Sequence, residues 1–295
     1  MLKNARPHPD ARPVDTGIAA GTASNTLTSK DYQSIHDFLE VQAGIRLGAG
    51  KEYLVTSRLR RLLPMFDLSG YGALVARLAQ AGSNRLQTAV VDAMTTNETF
   101  WFRDNAHFRV LIEGVLTETR PARLRIWSAA ASTGQEAYTT AICLQDAMQN
   151  GRLSRTLGYE IIGTDISPTA LAEAKGASYC GVSASRGLNP EQRRRYFREQ
   201  GGCIELLPQY RRGISFRSFN LLQPFDGLGR FDVVFCRNVL IYFSQERKRD
   251  IIARIARSLN PGGHLFLGST ESMSGHEDLF EMRNLAGGLV YRVRS

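Results

Sequence analysis

The chain has 295 residues, enough for one large domain and a smaller one with ample core. Its hydrophobic content of 43% and charged content of 22% are ordinary for a folded protein in water, and no apolar run is long enough for direct membrane insertion. The net charge of +9 indicates an acidic partner, which can be nucleic acid, anionic lipid or an acidic protein surface.

The beginning of the chain and the cysteines bear on where the protein works. Residues 1–29 lack the apolar core of a signal peptide and are rich in Pro, Ala, Gly and Thr, which predicts a disordered tail. The cysteines are scattered without C-x-x-C spacing, at Cys143, Cys180, Cys203 and Cys236. This spacing argues against a zinc site or a disulfide framework, so we expect no metal and a cytoplasmic location.

Residues 30–94 follow a helical pattern without any strand signal, which predicts a small all-helical N-terminal domain. Ser29 or Asp31 can cap a first helix that ends at Val41. Further helices are predicted over 52–65, 71–79 and 85–94.

The second predicted helix has two different sides. Its apolar stripe consists of Val55, Leu59, Leu62 and Leu63. The remaining surface carries Arg58, Arg60 and Arg61. These arginines can form an ordinary solvated surface or a docking surface for an acidic helix, and the pattern alone leaves both open.

Residues 95–109 interrupt the helical rhythm and predict a linker. The aromatic run 100–102 can anchor this linker against a core. Asn97, Thr99 and Arg103 are polar residues interleaved with that anchor. A helix from Asn105 to about Thr117 is expected to follow.

The segment 124–148 predicts a strand, a turn of small residues and a helix. The strand covers 124–127, and the helix covers 135–148. Open α/β sheets build nucleotide sites in this way, because the backbone must come close to the ligand. Ala129, Ala130 and Ala131 stand where a dinucleotide fingerprint has glycines, so an ordinary tight turn fits this stretch equally well.

A second strand over 160–164 ends in Asp165. A carboxylate at this position suits a ribose, whose two neighbouring hydroxyls can both donate to it. Ser167 and Pro168 are typical of a helix start, with serine as cap and proline in the first turn. The alternative role for Asp165 is to help cap that helix.

Between Tyr179 and Ser218 the alternation of strands and helices breaks down. A charged helix is predicted over 190–198, and strand-like pieces at 203–207, 210–212 and 214–219. These pieces predict a small antiparallel insertion at about 196–217, set into a domain that covers 110–295.

Several further elements follow this insertion. Asn220 and Leu221 end a strand, where an adenine edge can be read by an amide and by backbone groups. The apolar run 231–236 is typical of a buried parallel strand, and Arg237 and Asn238 follow it at the ligand-binding edge of the sheet. Later elements are predicted as a helix over 245–259, a strand over 264–268 and a hairpin formed by 280–283 and 289–293.

Five stretches occur in a fixed order along the chain. They are TTNETFWFR at 95–103, WSAAASTGQE at 127–136, GTDI at 163–166, NLL at 220–222 and FCRNVLIYF at 235–243. Together they resemble the CheR family of chemotaxis-receptor methyltransferases, over nearly everything from about residue 30 to 295. The resemblance implies a Rossmann-like class I methyltransferase sheet, S-adenosylmethionine as cofactor and S-adenosylhomocysteine as product. It also implies an enzyme that methylates glutamate carboxylates in the cytoplasmic helical region of chemoreceptors.

The resemblance also implies roles for particular residues. Those expected to bind the cofactor are Asn97, Thr99, Arg103, Glu136, Asp165, Asn220, Leu221, Arg237 and Asn238. The basic helix, with Arg58, Arg60 and Arg61, would face the receptor. Relatives that tether to a peptide at a receptor's tail have a longer glycine-containing loop than Gly201-Gly202, which argues against tethering here.

The chemistry of methyl transfer to glutamate suggests two catalytic residues. A glutamate carboxylate is ionised at neutral pH, because its usual pKa is about 4.3, so no general base is needed. Arg103 can hold that carboxylate with two hydrogen bonds, and Tyr242 can donate one more.

Two other functions remain as alternatives. A nucleic-acid methyltransferase would suit the pI of about 9.6, but the chain has Arg-Asn-Val-Leu-Ile-Tyr at 237–242 where base-amine methyltransferases usually have [Asn/Asp]-Pro-Pro-aromatic. We therefore expect no nucleic-acid partner. A non-catalytic signalling module is the second alternative, and the intact polar positions argue against it.

Overall fold

The computed structural model describes residues 26–273 and 275–294. Its α-helices are α1 (Ser29–Ala43), α2 (Glu52–Leu59), α3 (Leu62–Met65), α4 (Tyr71–Leu78), α5 (Asn84–Met94), α6 (Ala106–Arg109), α7 (Leu116–Thr119), α8 (Gln135–Gln149), α9 (Pro168–Gly176), α10 (Pro190–Tyr196) and α11 (Gln245–Ser258). Its strands are β1 (Arg123–Ala129), β2 (Gly158–Asp165), β3 (Ser178–Cys180), β4 (Phe197–Gln200), β5 (Cys203–Leu206), β6 (Ile214–Ser218), β7 (Phe231–Cys236), β8 (Leu259–Leu267), β9 (Phe280–Leu285) and β10 (Gly288–Val293). The disordered tail predicted for 1–29 falls mostly outside the described residues.

The N-terminal domain is helical, as predicted, and packs around its own apolar core. That core includes Ile35, Leu39, Val55, Leu59, Leu74 and Val90. The cap of α1 differs from the prediction: it is Thr28, whose hydroxyl accepts from the Asp31 amide at 3.1 Å while the Asp31 carboxylate accepts from the Thr28 amide at 3.2 Å. The predicted second helix is divided into α2 and α3, so it does not continue through Arg60 and Arg61.

The main sheet has seven strands in the order β6-β2-β1-β7-β8-β10-β9. Neighbours from β6 to β8 pair in parallel, whereas β10 pairs antiparallel with both β8 and β9 as the predicted terminal hairpin. The chain builds outward from β1 through β2 to β6 and then returns to β7 on the other side of β1. This reversal creates a crevice at the carboxyl ends of β1 and β7, where open α/β sheets bind ligands.

Both faces of the main sheet are covered, which explains the continuous apolar runs in its central strands. On one side Phe235 stacks on Phe266 with ring centroids 4.7 Å apart. On the other side Trp127 packs against Phe225 and Phe231, at 5.0 and 5.5 Å. The mixed α/β fold predicted from the sequence is confirmed.

A small antiparallel sheet with the order β3-β5-β4 projects from this core. Three predictions about its extent are wrong. The strand β3 belongs to this sheet but lies before the predicted start of the insertion at about residue 196. Two of the three residues predicted as a strand at 210–212 lie in a short 3-10 helix, Pro208–Arg211. The strand β6 pairs in parallel with β2, with Ile214 opposite Ile161, and so belongs to the main sheet instead of the insertion.

The small sheet also corrects the prediction made from cysteine spacing. Cys180 on β3 lies directly opposite Cys203 on β5, and the two form a disulfide with Cα atoms 4.2 Å apart. The antiparallel pairing of these strands brings together residues that are 23 positions apart in the chain. Spacing along the sequence does not show such a contact, so the prediction that argued against any disulfide framework is wrong for this pair.

The linker after α5 is anchored by Trp101, as its aromatic run predicts. Trp101 is fully buried, and its ring contacts those of Tyr179 and Phe197 at 5.0 and 4.7 Å. Its indole N–H donates to the Ser183 carbonyl at 2.9 Å. The linker is thereby fixed to the small sheet.

Two further features concern the helices. The helix that follows the linker includes a π-helical segment over Val110–Val115. Among the described helices, none combines the length and apolar composition that a bilayer crossing requires.

Candidate active site

Two adjoining cavities open at the carboxyl ends of β1, β2 and β7. The smaller one has a volume of about 70 Å³ and lies between the linker and the sheet. The larger one has a volume of about 250 Å³ and is bounded on one side by the N-terminal domain. Both are lined by Thr96, Asn97, Ala130, Asp165, Val239 and Tyr242. An elongated ligand can therefore occupy both cavities at once.

The turn after β1 brings backbone to the floor of these cavities. Ala130 and Ser132 have left-handed backbones, with φ of 58° and 51°, and Gly134 has φ of 93°. The small side chains of this turn let the chain bend sharply over the end of β2, where the Ala131 amide donates to the Thr164 carbonyl at 2.8 Å. The turn is therefore more than an ordinary connection, because it forms one wall of a ligand-sized space.

Asp165 ends β2 and lines both cavities, as its position in the sequence predicts. One carboxylate oxygen accepts from the Ser132 amide at 2.8 Å and the other from the Ser167 amide at 2.9 Å. Burial raises the pKa of this carboxyl group, whereas hydrogen bonds from backbone amides lower it. The Ile166 amide is a third backbone donor to this carboxylate, which leaves one of its four acceptor sites for a ligand hydroxyl. The helix cap itself is Ser167, whose hydroxyl accepts from the Ala170 amide at 3.0 Å.

Asn97 and Thr99 lie on the linker beside this turn, and both line the smaller cavity. The Asn97 side-chain amide donates to the Ser167 hydroxyl at 3.2 Å, and its backbone carbonyl accepts from the Ser132 hydroxyl at 3.0 Å. The structure thus brings the linker, the turn after β1 and the end of β2 together around Asp165.

Arg103 and Tyr242, the two predicted catalytic residues, both line the smaller cavity. The Arg103 guanidinium donates to the Glu98 carbonyl at 3.1 Å and lies 5.4 Å from the centre of the Phe100 ring. No carboxylate within the described ranges forms an ion pair with it. The guanidinium therefore has donors to offer an incoming carboxylate.

Arg237 follows β7 as predicted, but protein groups occupy most of its guanidinium. It donates to Glu136 at 2.8 Å, to the Asp104 carboxylate at 2.7 Å and to the Arg103 carbonyl at 2.7 Å. Its side chain is 2% exposed, and its Nε has no hydrogen-bond partner within the described residues. Arg237 therefore holds the linker against the start of α8, and only Nε and the second Nη1 hydrogen are left to contact a cofactor.

Glu136 sits in the first turn of α8 and lines the smaller cavity. One of its carboxylate oxygens accepts from the Ser128 hydroxyl at 2.7 Å, and the other from Arg237. The carboxylate is thus held between β1 and β7 at the mouth of the crevice.

Asn238 also lines the smaller cavity, with a left-handed backbone at φ of 58°. The backbone amide of Asn238 donates to the Glu271 carboxylate at 2.7 Å. The same carboxylate accepts from the backbone amides of Leu240 and Gly268, each at 2.8 Å. Glu271 thereby fixes the loop that leads to Tyr242. Sequence reasoning missed Glu271, because nothing local shows that it reaches amides more than thirty residues earlier.

Asn220 and Leu221 line the larger cavity. The Asn220 amide nitrogen donates to the Gln42 carbonyl at the end of α1, at 2.7 Å, and its oxygen accepts from the Leu222 amide at 2.9 Å. The side chain predicted to read adenine therefore joins the two domains. Readout of an adenine edge would depend on the neighbouring backbone and on Leu221, which is buried.

The arginines of the basic helix do not share one role. Arg58 is half-buried and donates to the carbonyls of Met94 and Thr95 at 2.8 and 2.9 Å, so it holds the start of the linker. Arg60 and Arg61 are exposed in the bend between α2 and α3. The predicted basic docking surface is therefore reduced to these two arginines.

Comparison with known proteins adds to this geometry. The family description "CheR methyltransferase, all-alpha domain" matches residues 30–95, and "CheR methyltransferase, SAM binding domain" matches residues 97–288. Chemotaxis protein methyltransferase 1 of Pseudomonas aeruginosa is 44% identical over 274 residues, covering 91% of this chain and 100% of that protein. Chemotaxis protein methyltransferase Cher2 of Pseudomonas putida is 42% identical over 269 residues, covering 90% and 98%.

Among solved structures, the chain is similar to the N-methyltransferase NodS from Bradyrhizobium japonicum in complex with S-adenosyl-l-homocysteine. The identity is 16% and the TM-score 0.38, with coverage of 76% of this chain and 97% of that chain.

Proposed function

This chain belongs to the CheR family of S-adenosylmethionine-dependent methyltransferases, and we propose that it methylates glutamate side chains of chemoreceptors in the cytoplasm. The observation that carries the proposal is the placement of Arg103 beside the cofactor crevice, with no acidic partner in the described part of the chain. An arginine in this state suits a substrate that brings its own carboxylate.

The two cavities fit the cofactor. Asp165, a buried carboxylate with an acceptor site left over, lies where both cavities meet, and it suits a ribose hydroxyl. The larger cavity has apolar walls that suit a flat base, including Leu221 and Phe243. Arg103 lines only the smaller of the two cavities, and Tyr242 lines both; we propose that these two residues mark the end where the methyl group is transferred.

When bound, S-adenosylmethionine supplies a methyl group on a positively charged sulfur, which keeps the electrons of the broken bond and leaves as S-adenosylhomocysteine. The glutamate carboxylate is already ionised, so its oxygen can form the new bond without a general base. Opposite charges disappear as the ester forms, and water would stabilise the reactants more than the transition state. The work of Arg103 and Tyr242 is therefore to aim the carboxylate while the cavity excludes water.

A test of the product distinguishes this reaction from other methylations. Incubation of the protein with methyl-labelled S-adenosylmethionine and a receptor cytoplasmic fragment should yield label that mild base releases as methanol, because carboxyl methyl esters hydrolyse readily. A fragment whose modified glutamates are changed to glutamine should take up no label. Label that survives base, or that appears on nucleic acid instead, would contradict the proposal.

We further propose that Arg60 and Arg61 help to dock the acidic substrate. Reversing both charges (Arg60→Glu with Arg61→Glu) should lower kcat/KM for the receptor about tenfold, since such surface charges act mainly on association rates. Affinity for S-adenosylhomocysteine should not change, because neither residue lines the cofactor cavities. Arg155→Glu with Arg257→Glu is the matched control, as these arginines are also exposed and lie outside both cavities. Equal losses in both variants would mean that only net charge matters.

A further inference from the structure

The N-terminal domain contacts the end of β2 through the carboxylate of Asp92, in the last turn of α5. One oxygen of this carboxylate accepts a short hydrogen bond from the Ser167 hydroxyl. The other accepts from the Thr169 hydroxyl at 2.6 Å. Both donors belong to the start of α9, directly after the strand that ends in Asp165. Asp92 lines neither cofactor cavity, so it would not touch a ligand bound there.

The Ser167 hydroxyl is the first of these neighbours, and it is completely buried. It donates to Asp92 while accepting from the Ala170 amide at 3.0 Å and from the Asn97 side chain at 3.2 Å. A hydroxyl has one proton and two lone pairs, so each of them has a partner here. Because Asp92 fixes the direction of the proton, it also fixes the lone pair that holds Asn97.

The hydrogen bonds continue from Ser167 around the Asp165 carboxylate. The Ser167 amide donates to one Asp165 oxygen at 2.9 Å, and the Ser132 amide donates to the other at 2.8 Å. The Ser132 hydroxyl in turn donates to the Asn97 carbonyl at 3.0 Å. Ser167, Asn97, Ser132 and Asp165 thus form a closed ring, and Asp92 holds it from the N-terminal domain.

We propose that Asp92 is a positioning residue for cofactor binding, which orients Asp165 and Asn97 through the Ser167 hydroxyl. The inference rests on the proposed role of Asp165 as the acceptor for the ribose hydroxyls. It makes the helical domain a part of the cofactor site through a contact that is separate from the receptor surface.

The test compares variants by calorimetry with S-adenosylhomocysteine and with its 2′-deoxy analogue. Asp92→Ala should bind S-adenosylhomocysteine about tenfold more weakly, which is the usual scale for one lost hydrogen bond to a charged group. Asp92→Asn keeps an oxygen that can accept from Ser167, so it should bind within about threefold of the unchanged protein. For the 2′-deoxy analogue the loss in Asp92→Ala should be much smaller, because Asp165 has less to orient there.

Two controls separate positioning from folding. Asp37→Ala removes an exposed aspartate of the same domain and should leave both affinities unchanged. Melting temperatures without ligand report any loss of stability. Should Asp92→Ala fail to fold, Ser167→Ala carries the same test, because it removes the hydroxyl through which Asp92 acts.

The outcomes distinguish this inference from the assignment on which it rests. If Asp165→Asn weakens binding and Asp92→Ala does not, the positioning role is overturned while the ribose assignment stands. If Asp165→Asn binds normally, the ribose assignment fails and the inference falls with it. If Asp92→Ala loses affinity equally for both nucleosides and melts earlier, Asp92 serves only the fold, and the positioning role is again overturned.

Discussion

Replacing Arg103 with alanine should lower kcat/KM for receptor methylation by about 10²-fold, the scale expected when a reacting group is misplaced by about 1 Å. The physical reason is that the carboxylate must be held at the end of the crevice while its water is removed. The Arg103 side chain donates to the Glu98 carbonyl and lies over the Phe100 ring, without an ion pair in the described ranges, so its loss should cost the fold little. Initial rates with a receptor fragment, together with the melting temperature, check both statements.

Arg103→Lys is the informative companion to this variant. Lysine keeps the charge but cannot form two parallel hydrogen bonds to a carboxylate, so we expect a rate between those of alanine and arginine. Near-normal turnover in a folded Arg103→Ala variant would remove Arg103 from the reaction. A loss confined to S-adenosylhomocysteine affinity would instead make it a cofactor residue.

Replacing Arg237 with methionine should reduce the free energy of unfolding by about 3 kcal/mol, the lower end of what is measured when one partner of a buried ion pair is removed. Its partners differ in exposure, since the Glu136 side chain is 13% exposed and that of Asp104 is 31% exposed. In the variant, water can solvate the Asp104 carboxylate more easily than that of Glu136. The unpaired Glu136 should therefore account for most of the loss in the free energy of unfolding. Urea denaturation measures the change.

A second substitution tests this explanation directly. Adding Glu136→Gln to Arg237→Met removes the buried charge that has lost its partner, so part of the stability should return. Additive losses would contradict the view that Arg237 and Glu136 act as a pair. Unchanged stability in Arg237→Met alone would show that the ion pairs of Arg237 contribute nothing to the free energy of unfolding.

The sequence was most informative where a buried strand ends in a polar residue. Asp165 follows an apolar run, and parallel strands place such ends at one edge of the sheet, so its position in the crevice could be predicted. The same reasoning placed Arg237 and Asn238 beside the cavity. It could not show that protein groups occupy the Arg237 guanidinium, because Asp104 and Glu136 are both more than a hundred residues away.

Contacts between distant segments explain the predictions that were wrong. The sequence of β6 would look the same whether the strand paired with β2 or with the insertion. Only the three-dimensional structure shows that its partner is β2. Cys180 and Cys203 meet because β3 pairs with β5. Arg58 points to the linker because α2 packs beside α5. Helical periodicity alone does not show which helix α2 packs against.

The hydrogen bonds from three backbone amides to Glu271 determine when the loop before Tyr242 becomes ordered. The loop from Asn238 to Leu240 is tied to the end of β8 by hydrogen bonds within the protein. Its conformational entropy is therefore lost when the chain folds, and not when a receptor arrives. The loop that carries Tyr242 is therefore already ordered before the receptor binds. Receptor binding then loses no free energy to ordering this loop.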